Sequence, residues 1–367
     1  MRSTNYKIKR TFHPVGHGGF YTENFLDDEF TIVYDCGAKK KKNLISLLDN
    51  EFKSVKKIDI LFISHFHADH INGLKHILNT CTVKYLVLPL LDDEEKIRIF
   101  LFNRINEATI FIQDLCLSPK STVKKTSEAT RVVLVSPEVS DDEFNINDLP
   151  SKISSGDNLV YSNMHNTLQW NFIPFNFKYK DRSEKLKEIF SQNKIPLNIS
   201  SFQKFYKKNK QNQKKVIDAY NKVQDDFNTN SLTLYSGLFS LNNISSGYCK
   251  RGYSPEKFHM THNKSGCLYL GDYNAKKINT WEALKDAYSS YFQLLSIIQI
   301  PHHGSKENYN EALNTYNNLL SVISAPFKND KHPNPNVLKK IILNHGIPII
   351  VTENDESIFI QILSISK

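Results

Sequence analysis

The 367-residue sequence has no apolar run approaching the ~20 residues that a membrane-spanning helix needs, which excludes a helical membrane protein. Its opening, MRSTNYKIKRTF, lacks the apolar stretch that follows the charges of a secretory signal, so a cytoplasmic protein with no membrane partner is expected. Cysteine is sparse: Cys36, Cys81, Cys116, Cys249 and Cys267 are scattered, odd in number and without metal-ligand spacing. They suit a reducing compartment and exclude a disulfide framework. With only 13 Gly and 13 Pro, and 40% hydrophobic residues, collagen-like and fully disordered chains are excluded as well. Acidic residues are the minority charge, 38 against 47 Lys and Arg, and the net +9 favours polyanionic or phosphate-bearing partners.

Strand and helix signals alternate over the first 140 residues. Residues 30–34 form a β-branched and aromatic run read as a strand. Residues 58–63 form a second, too apolar for one wet face and therefore central in a sheet. Helices are expected at 71–78 and 92–108, strands at 85–89 and 131–135. Residues 179–230 differ, being polar, lysine-rich and helical in pattern. Six lysines and no acidic residue lie from Lys204 to Lys215, with Phe202, Phe205 and Tyr206 beside them at helical spacing. The segment has too few apolar residues for its own core and reads as an insertion, within a single domain spanning 1–367. Beyond it, strands are expected at 231–235, 266–270, 297–300, 322–324, 347–352 and 357–363. Helices are expected at 281–295, 308–320 and 337–344, the last closed by Gly346.

The chemistry concentrates in His65-Phe66-His67-Ala68-Asp69-His70, directly after a buried strand and before a helix. Histidines at i and i+2 of an extended segment point the same way and can converge on one cation. Asp69 and His70, where the chain bends into the helix, can reach a second. Two cations about 3.5–4 Å apart activate water and clamp an oxyanion. The alternative, a surface loop that is merely His-rich, leaves four costly residues clustered without a reason.

This segment resembles the H-x-H-x-D-H motif of metallo-β-lactamase-fold hydrolases, and other stretches match that family in order. Val33-Tyr34-Asp35-Cys36-Gly37 is similar to its strand-ending aspartate motif. Leu268-Tyr269-Leu270-Gly271-Asp272 is similar to its Gly-Asp strand, Ile300-Pro301-His302-His303-Gly304-Ser305 to its His-His-Gly-Ser motif, and Asn228-Thr229-Asn230 to its Asn-rich motif. His332-Pro333 through Gly346 resembles the ending of the branch that includes the hydrolase domain of bacterial DNA-uptake channels and phosphocholine esterases. The Gly-x-Gly turn of the family corresponds to Gly16-His17-Gly18.

The resemblance implies an α+β four-layer αββα sandwich carrying the helical, lysine-rich insertion. It implies two divalent ions, Zn²⁺ or Mn²⁺, held by His65, His67, Asp69, His70, His165, Asp272 and His303, with Asp272 bridging both. His165 stands in by default for a third histidine that the family places on an intervening strand. Asp35 would orient ligands from behind, and His332 would sit at the rim. A hydroxide bridging the metals would attack with Asp69 holding it, while His302 serves the departing oxygen. The expected substrate is a phosphodiester of DNA or RNA, with Lys204, Lys207, Lys208, Lys214 and Lys215 following the phosphate backbone, although a solvated helix face explains those lysines equally. A defence effector with a partner protein would fit that activity by analogy. A small phosphodiester of cyclic-nucleotide or phosphocholine type is the second reading, and a binding subunit with a weakened metal site is the third.

Overall fold

The computed structural model describes residues 6–39, 41–54, 56–163, 168–178, 182–223, 231–239, 244–252, 257–259, 264–315, 318–328 and 331–365. Two sheets pack face to face. In the first, strands run in the spatial order 258–259, 244–251, 359–365, 6–12, 18–25, 30–38, 57–62, 82–89, 131–139 and 152–155. In the second the order is 347–351, 320–324, 295–299, 266–269, 233–237, 169–175, 158–162 and 143–145.

The strands Phe30–Ala38, Lys57–Phe62, Thr82–Pro89 and Arg131–Val139 are mutually parallel, and each crossover between them is helical or passes through a helix. Parallel strands covered on both faces are apolar on both. In the 57–62 strand and the residue after it, Leu61 and Ile63 pack outward with the helices while Ile60 and Phe62 pack between the sheets. Three apolar layers result. One lies between the first sheet and its helices (Leu74, Ile97, Leu101), one between the sheets (Phe12, Tyr34, Trp170), and one between the second sheet and its helices (Leu284, Val337, Ile341). The order helix, sheet, sheet, helix is the αββα sandwich expected from the sequence.

The described part of the insertion contains helices Arg182–Gln192, Ile199–Lys208 and Lys210–Tyr220. The last two are capped by Asn198 and Asn209, whose side chains accept from Ser201 N and Asn212 N. Leu186, Phe190, Phe202, Tyr206 and Val216 are buried in the same apolar layer as helix Asp93–Ile105, so the insertion thickens that layer rather than making a core of its own.

Two helix expectations change. Among the described residues of 308–320 the helical structure is a 3₁₀ turn, Glu311–Asn314, and a strand begins at Leu320. Asn310 accepts from Ala312 N and Asn314 donates to Ser321 Oγ, so asparagine side chains take backbone and strand partners that a helix would need. The helix expected at 281–295 ends at Tyr288, and Phe292–Leu294 is a 3₁₀ turn. The 335–343 helix is closed by His345, not Gly346, in the left-handed region, at φ 58°. No helix among the described residues is long and apolar enough to cross a membrane.

A charged pair is sealed between the sheets. Arg10 and Glu23 face each other on neighbouring strands at 2.9 Å, both essentially without solvent exposure. Arg10 also donates to Gln361 Oε1 and to the Ser265 carbonyl, while Glu23 accepts from Ser236 Oγ and Tyr269 OH of the opposite sheet. Burial works against the guanidinium charge, but the Glu23 carboxylate outweighs it and Arg10 stays cationic.

Candidate metal centre

Three strand ends meet at one edge of the sandwich. The segment 63–70 leaves strand Lys57–Phe62 of the first sheet, while Asp272 follows Gly266–Tyr269 and His302–His303 follow Leu295–Gln299 in the second. The parallel strands direct these loops to the same side. Phe66 is buried in the apolar layer beneath, which leaves His65 and His67 to face the opening together, their rings 4.6 Å apart. Asp69 and His70 sit in the short helix Ala68–Ile71. Its backbone lies directly on Gly37, where a Cβ would come within 2.4 Å of Asp69 and His70 backbone atoms. Only glycine permits that approach.

The cluster is tight. Asp272 places Oδ1 3.3 Å from His70 Nε2 and 3.8 Å from His303 Nε2, and Oδ2 3.7 Å from His65 Nε2 and 3.8 Å from His302 Nε2. Asp69 Oδ2 lies 3.3 Å from His17 Nε2 and 3.7 Å from His303 Nε2. Outer partners fix the rings by their other nitrogen. His70 Nδ1 donates to Asp35 Oδ2 at 2.8 Å, His303 Nδ1 to the Ser324 carbonyl at 2.9 Å, and His302 Nδ1 to Asn308 Oδ1 at 2.8 Å. His65 Nδ1 lies within hydrogen-bonding distance of the Ser64 and Ser231 hydroxyls. Such partners set the tautomer and aim each Nε2 lone pair inward. The backbone is strained where it must turn, with Asp35, His302 and His303 at φ 57°, 49° and 54°.

Charge in the cluster is lopsided. Burial alone would raise the Asp272 carboxyl, but His302, His70 and His303 outweigh it and hold it well below the usual carboxylate range. Asp69 is held low in the same way by His17, His303 and His70 against its burial. His65 is pushed well down by burial and by its neighbours His70 and His67, and His67 is pushed down to about 4 chiefly by burial. Asp35 is raised by burial, which its bonds to His70 and Ser64 only partly offset.

The donor set fits a cation. Nε2 of His65, His70 and His303 and Oδ1 of Asp272 are buried and make no hydrogen bond. Buried polar atoms are ordinarily satisfied, so four of them converging without partners marks a place for a ligand. Among the described residues, three groups bring their ligand atoms within 4.8 Å of one another: His65, His67 and Asp272; His70, Asp272 and His303; and His17, Asp69 and His303. Asp272 belongs to two of them. Imidazole nitrogen with carboxylate oxygen is the donor chemistry of zinc-type ions. Asp35→Asn, which breaks the carboxylate behind His70, is expected to weaken metal affinity about 10–100-fold. Competition with a chromophoric chelator measures it; unchanged affinity would remove Asp35 from the site.

The structure thus brings His65, His67, Asp69, His70, Asp272, His302 and His303 to one place, with Asp35 behind them and His332 at the edge, 5.8 Å ring to ring from His302. His165 and Asn228-Thr229-Asn230 lie outside the described residues. Phe175, close to the position where the third histidine was sought, is buried in the outer apolar layer of the second sheet. Lys204, Lys207, Lys208, Lys214 and Lys215 are exposed on the insertion; of the two rings expected to be available beside them, Tyr206 is buried with Phe202 against Phe100 and Phe205 is partly buried against the same layer.

Several site residues go beyond the expected set. His17, read mainly as part of a turn, contacts Asp69 and lies against His303 with ring centroids 4.1 Å apart. Phe102 stacks on His67 at 4.3 Å. Gln299 accepts from both Leu270 N and Gly271 N and donates to the Ile300 carbonyl, tying the Asp272 loop to the His302 loop. A polar residue between Ile298 and Ile300 of an apolar run was its sequence signal.

The two-sheet sandwich and the His–Asp cluster are what the resemblance to metallo-β-lactamase-fold hydrolases implies. Residues 23–107, which carry the histidine cluster, match the family model described as Metallo-beta-lactamase superfamily. A curated relative, "Anti-Pycsar protein Apyc1" from Paenibacillus sp. (strain J14), is 30% identical over 70 residues, 17% of this chain. The chain thus spans 27% of the length of that relative. A solved structure, "Crystal Structure of a New Diphosphatase from the PhnP Family", aligns over 87% of this chain and 86% of its own with 8% identity and a TM-score of 0.35.

Proposed function

We propose that the chain is a metal-dependent hydrolase of phosphodiesters that works with two divalent cations, Zn²⁺ or Mn²⁺. The observation that supports this most directly is Asp272, whose carboxylate is shared between the His65/His67 and the His70/His303 groups. Cations held there would lower the pKa of water and neutralise charge building on phosphoryl oxygens. The remaining work falls to the chain. Asp69, flanked by His17 and His303, orients the attacking water and takes its hydrogen bond. His302 keeps Nδ1 on Asn308 and leaves Nε2 toward the opening, with its side chain 30% exposed, so it is placed to serve the departing oxygen. Phe66, Phe102 and the buried rings around them limit water on the protein side.

Two substrate classes remain. DNA or RNA is supported by the net positive charge and the exposed lysines of the insertion, and a role as a defence effector belongs with it. A small phosphodiester is supported by the burial of Tyr206 and the packing of Phe205 against the core, which leave at most one partly exposed ring beside the lysines for a base to stack on. Labelled single-stranded DNA, duplex DNA, RNA and bis-p-nitrophenyl phosphate, each with Zn²⁺ or Mn²⁺, separate the two. Metal-dependent hydrolysis that disappears in Asp69→Ala/His70→Ala is expected, and inertness toward all four substrates with metal bound would sink the proposal. Polymer cleavage should weaken with rising salt. Lys207→Ala/Lys208→Ala should then reduce the log–log salt slope of polymer binding by about 2. An unaltered slope, with bis-p-nitrophenyl phosphate still cut, would leave the small-ester reading.

A further inference from the structure

Beside the metal centre lies a cavity of about 530 Å³, lined by Arg251, Phe327, His332, Pro333, Asn354 and Glu356 among others. We propose that it seats the heterocyclic base of a nucleotide substrate, with Phe327 as the stacking face; this rests on the phosphodiester reading above and names the group that the ester carries.

Position comes first. His332 is a wall of the cavity, and its ring lies 5.8 Å from that of His302 and 6.4 Å from that of His303. A group bound in the cavity is therefore separated from the reacting centre by one side chain, the relation a base has to its own phosphate. The volume falls in the range of small-molecule sites and admits a nucleoside.

The lining then selects the chemistry. Phe327 is 63% exposed, a flat apolar ring left bare beside a polar centre, yet its backbone is anchored because its N–H donates to Glu353 Oε2 at 2.8 Å. Pro326, Pro333 and Ile350 continue the apolar wall. The hydroxyls of Thr352 and Ser357 are engaged with each other and with local backbone. Among the described residues, the groups left to face a ligand are the Arg251 guanidinium, held by the Ile350 carbonyl at 3.2 Å, the Asn354 amide and the Glu356 carboxylate. One cation and one anion cancel, so the cavity does not ask for a second phosphate. A quaternary ammonium prefers an aromatic cage, and here a single aromatic carbocycle stands with an arginine. A neutral flat ring whose edge alternates donors and acceptors satisfies all of these groups at once, since amide and guanidinium read such edges pairwise. Ring stacking supplies affinity without demanding one particular base.

The test is calorimetric titration of the Zn²⁺-loaded protein with thymidine 5′-monophosphate, adenosine 5′-monophosphate and ribose 5-phosphate. At least one nucleotide should bind about tenfold more tightly than the sugar phosphate, the gap should close in Phe327→Ala, and Phe327→Tyr should retain it. Equal affinity for all three ligands, or a gap that survives Phe327→Ala, overturns the assignment. Because the readout is binding, it stands apart from turnover. A base preference lost in Phe327→Ala in a protein that cleaves no phosphodiester would uphold the cavity and overturn the phosphodiesterase reading alone.

Discussion

Replacing Asp272 with alanine is expected to empty the centre of metal and to lower hydrolysis of bis-p-nitrophenyl phosphate by about 10³-fold or more. The magnitude follows from where the residue stands. Its two oxygens lie within 4 Å of Nε2 of His65, His70, His302 and His303, so one truncation strips a ligand from two groups at once. A Lewis-acidic cation contributes several kcal/mol to phosphoryl transfer, and each 1.36 kcal/mol is a decade in rate. Asp272 N donates to Ser231 Oγ and its carbonyl accepts from Asn308, and both contacts are backbone, so the loop should keep its course in the variant. Elemental analysis for bound metal, beside circular dichroism, distinguishes an emptied site from a collapsed one. Full metal content with undiminished rate in Asp272→Ala would refute the shared-carboxylate arrangement.

The second large effect concerns stability. Glu23→Ala should cost about 3–5 kcal/mol, because it strands the Arg10 guanidinium in the core and leaves Ser236 and Tyr269 without their acceptor. Removing both charges in Arg10→Met/Glu23→Leu should cost less than the sum of the single changes, since no ion is then buried alone. Urea unfolding followed by tryptophan fluorescence reads this directly, with Trp170 lying 6.0 Å from the Arg10 guanidinium. Strictly additive costs would mean that the pair does not act as a unit.

How much of this was legible in the sequence depends on whether a residue announces itself locally. The 65–70 segment did, because four ligand-type residues in six positions carry their own geometry once an extended strand end is granted. Asp272 and His303 were legible by resemblance, since each ends a recognisable strand. The helix expected at 308–320 failed because periodicity does not register asparagine side chains that take backbone partners. His17 was obscured by its glycines, which explain a turn so well that the imidazole looked incidental. Its contact with Asp69 is a matter of how strands Tyr6–Phe12 and Gly18–Phe25 sit beside the cluster, and no local pattern carries that. Gln299 and Phe102 act through other residues, tying loops and backing a ring, and such roles have no motif. The aromatic residues beside the lysines were legible as an apolar stripe: Phe202 and Tyr206 at helical spacing are what a core-facing stripe looks like, and the structure buries them, with Phe205 packed against the same layer.

Strand Tyr6–Phe12 pairs in the first sheet with Phe359–Ile365, residue 6 opposite residue 365. On the ribosome, strand Tyr6–Phe12 therefore keeps one edge unpaired until residues 359–365 have been made. The histidines at 65–70 emerge some two hundred residues before the aspartate that completes them. Long-range pairing of this kind is slow and exposes sticky edges while it waits. Assembly of the metal centre in this architecture therefore waits on pairings between residues far apart in sequence, and a product that stops before Asp272 carries the histidines at 65–70 without the carboxylate that joins their groups.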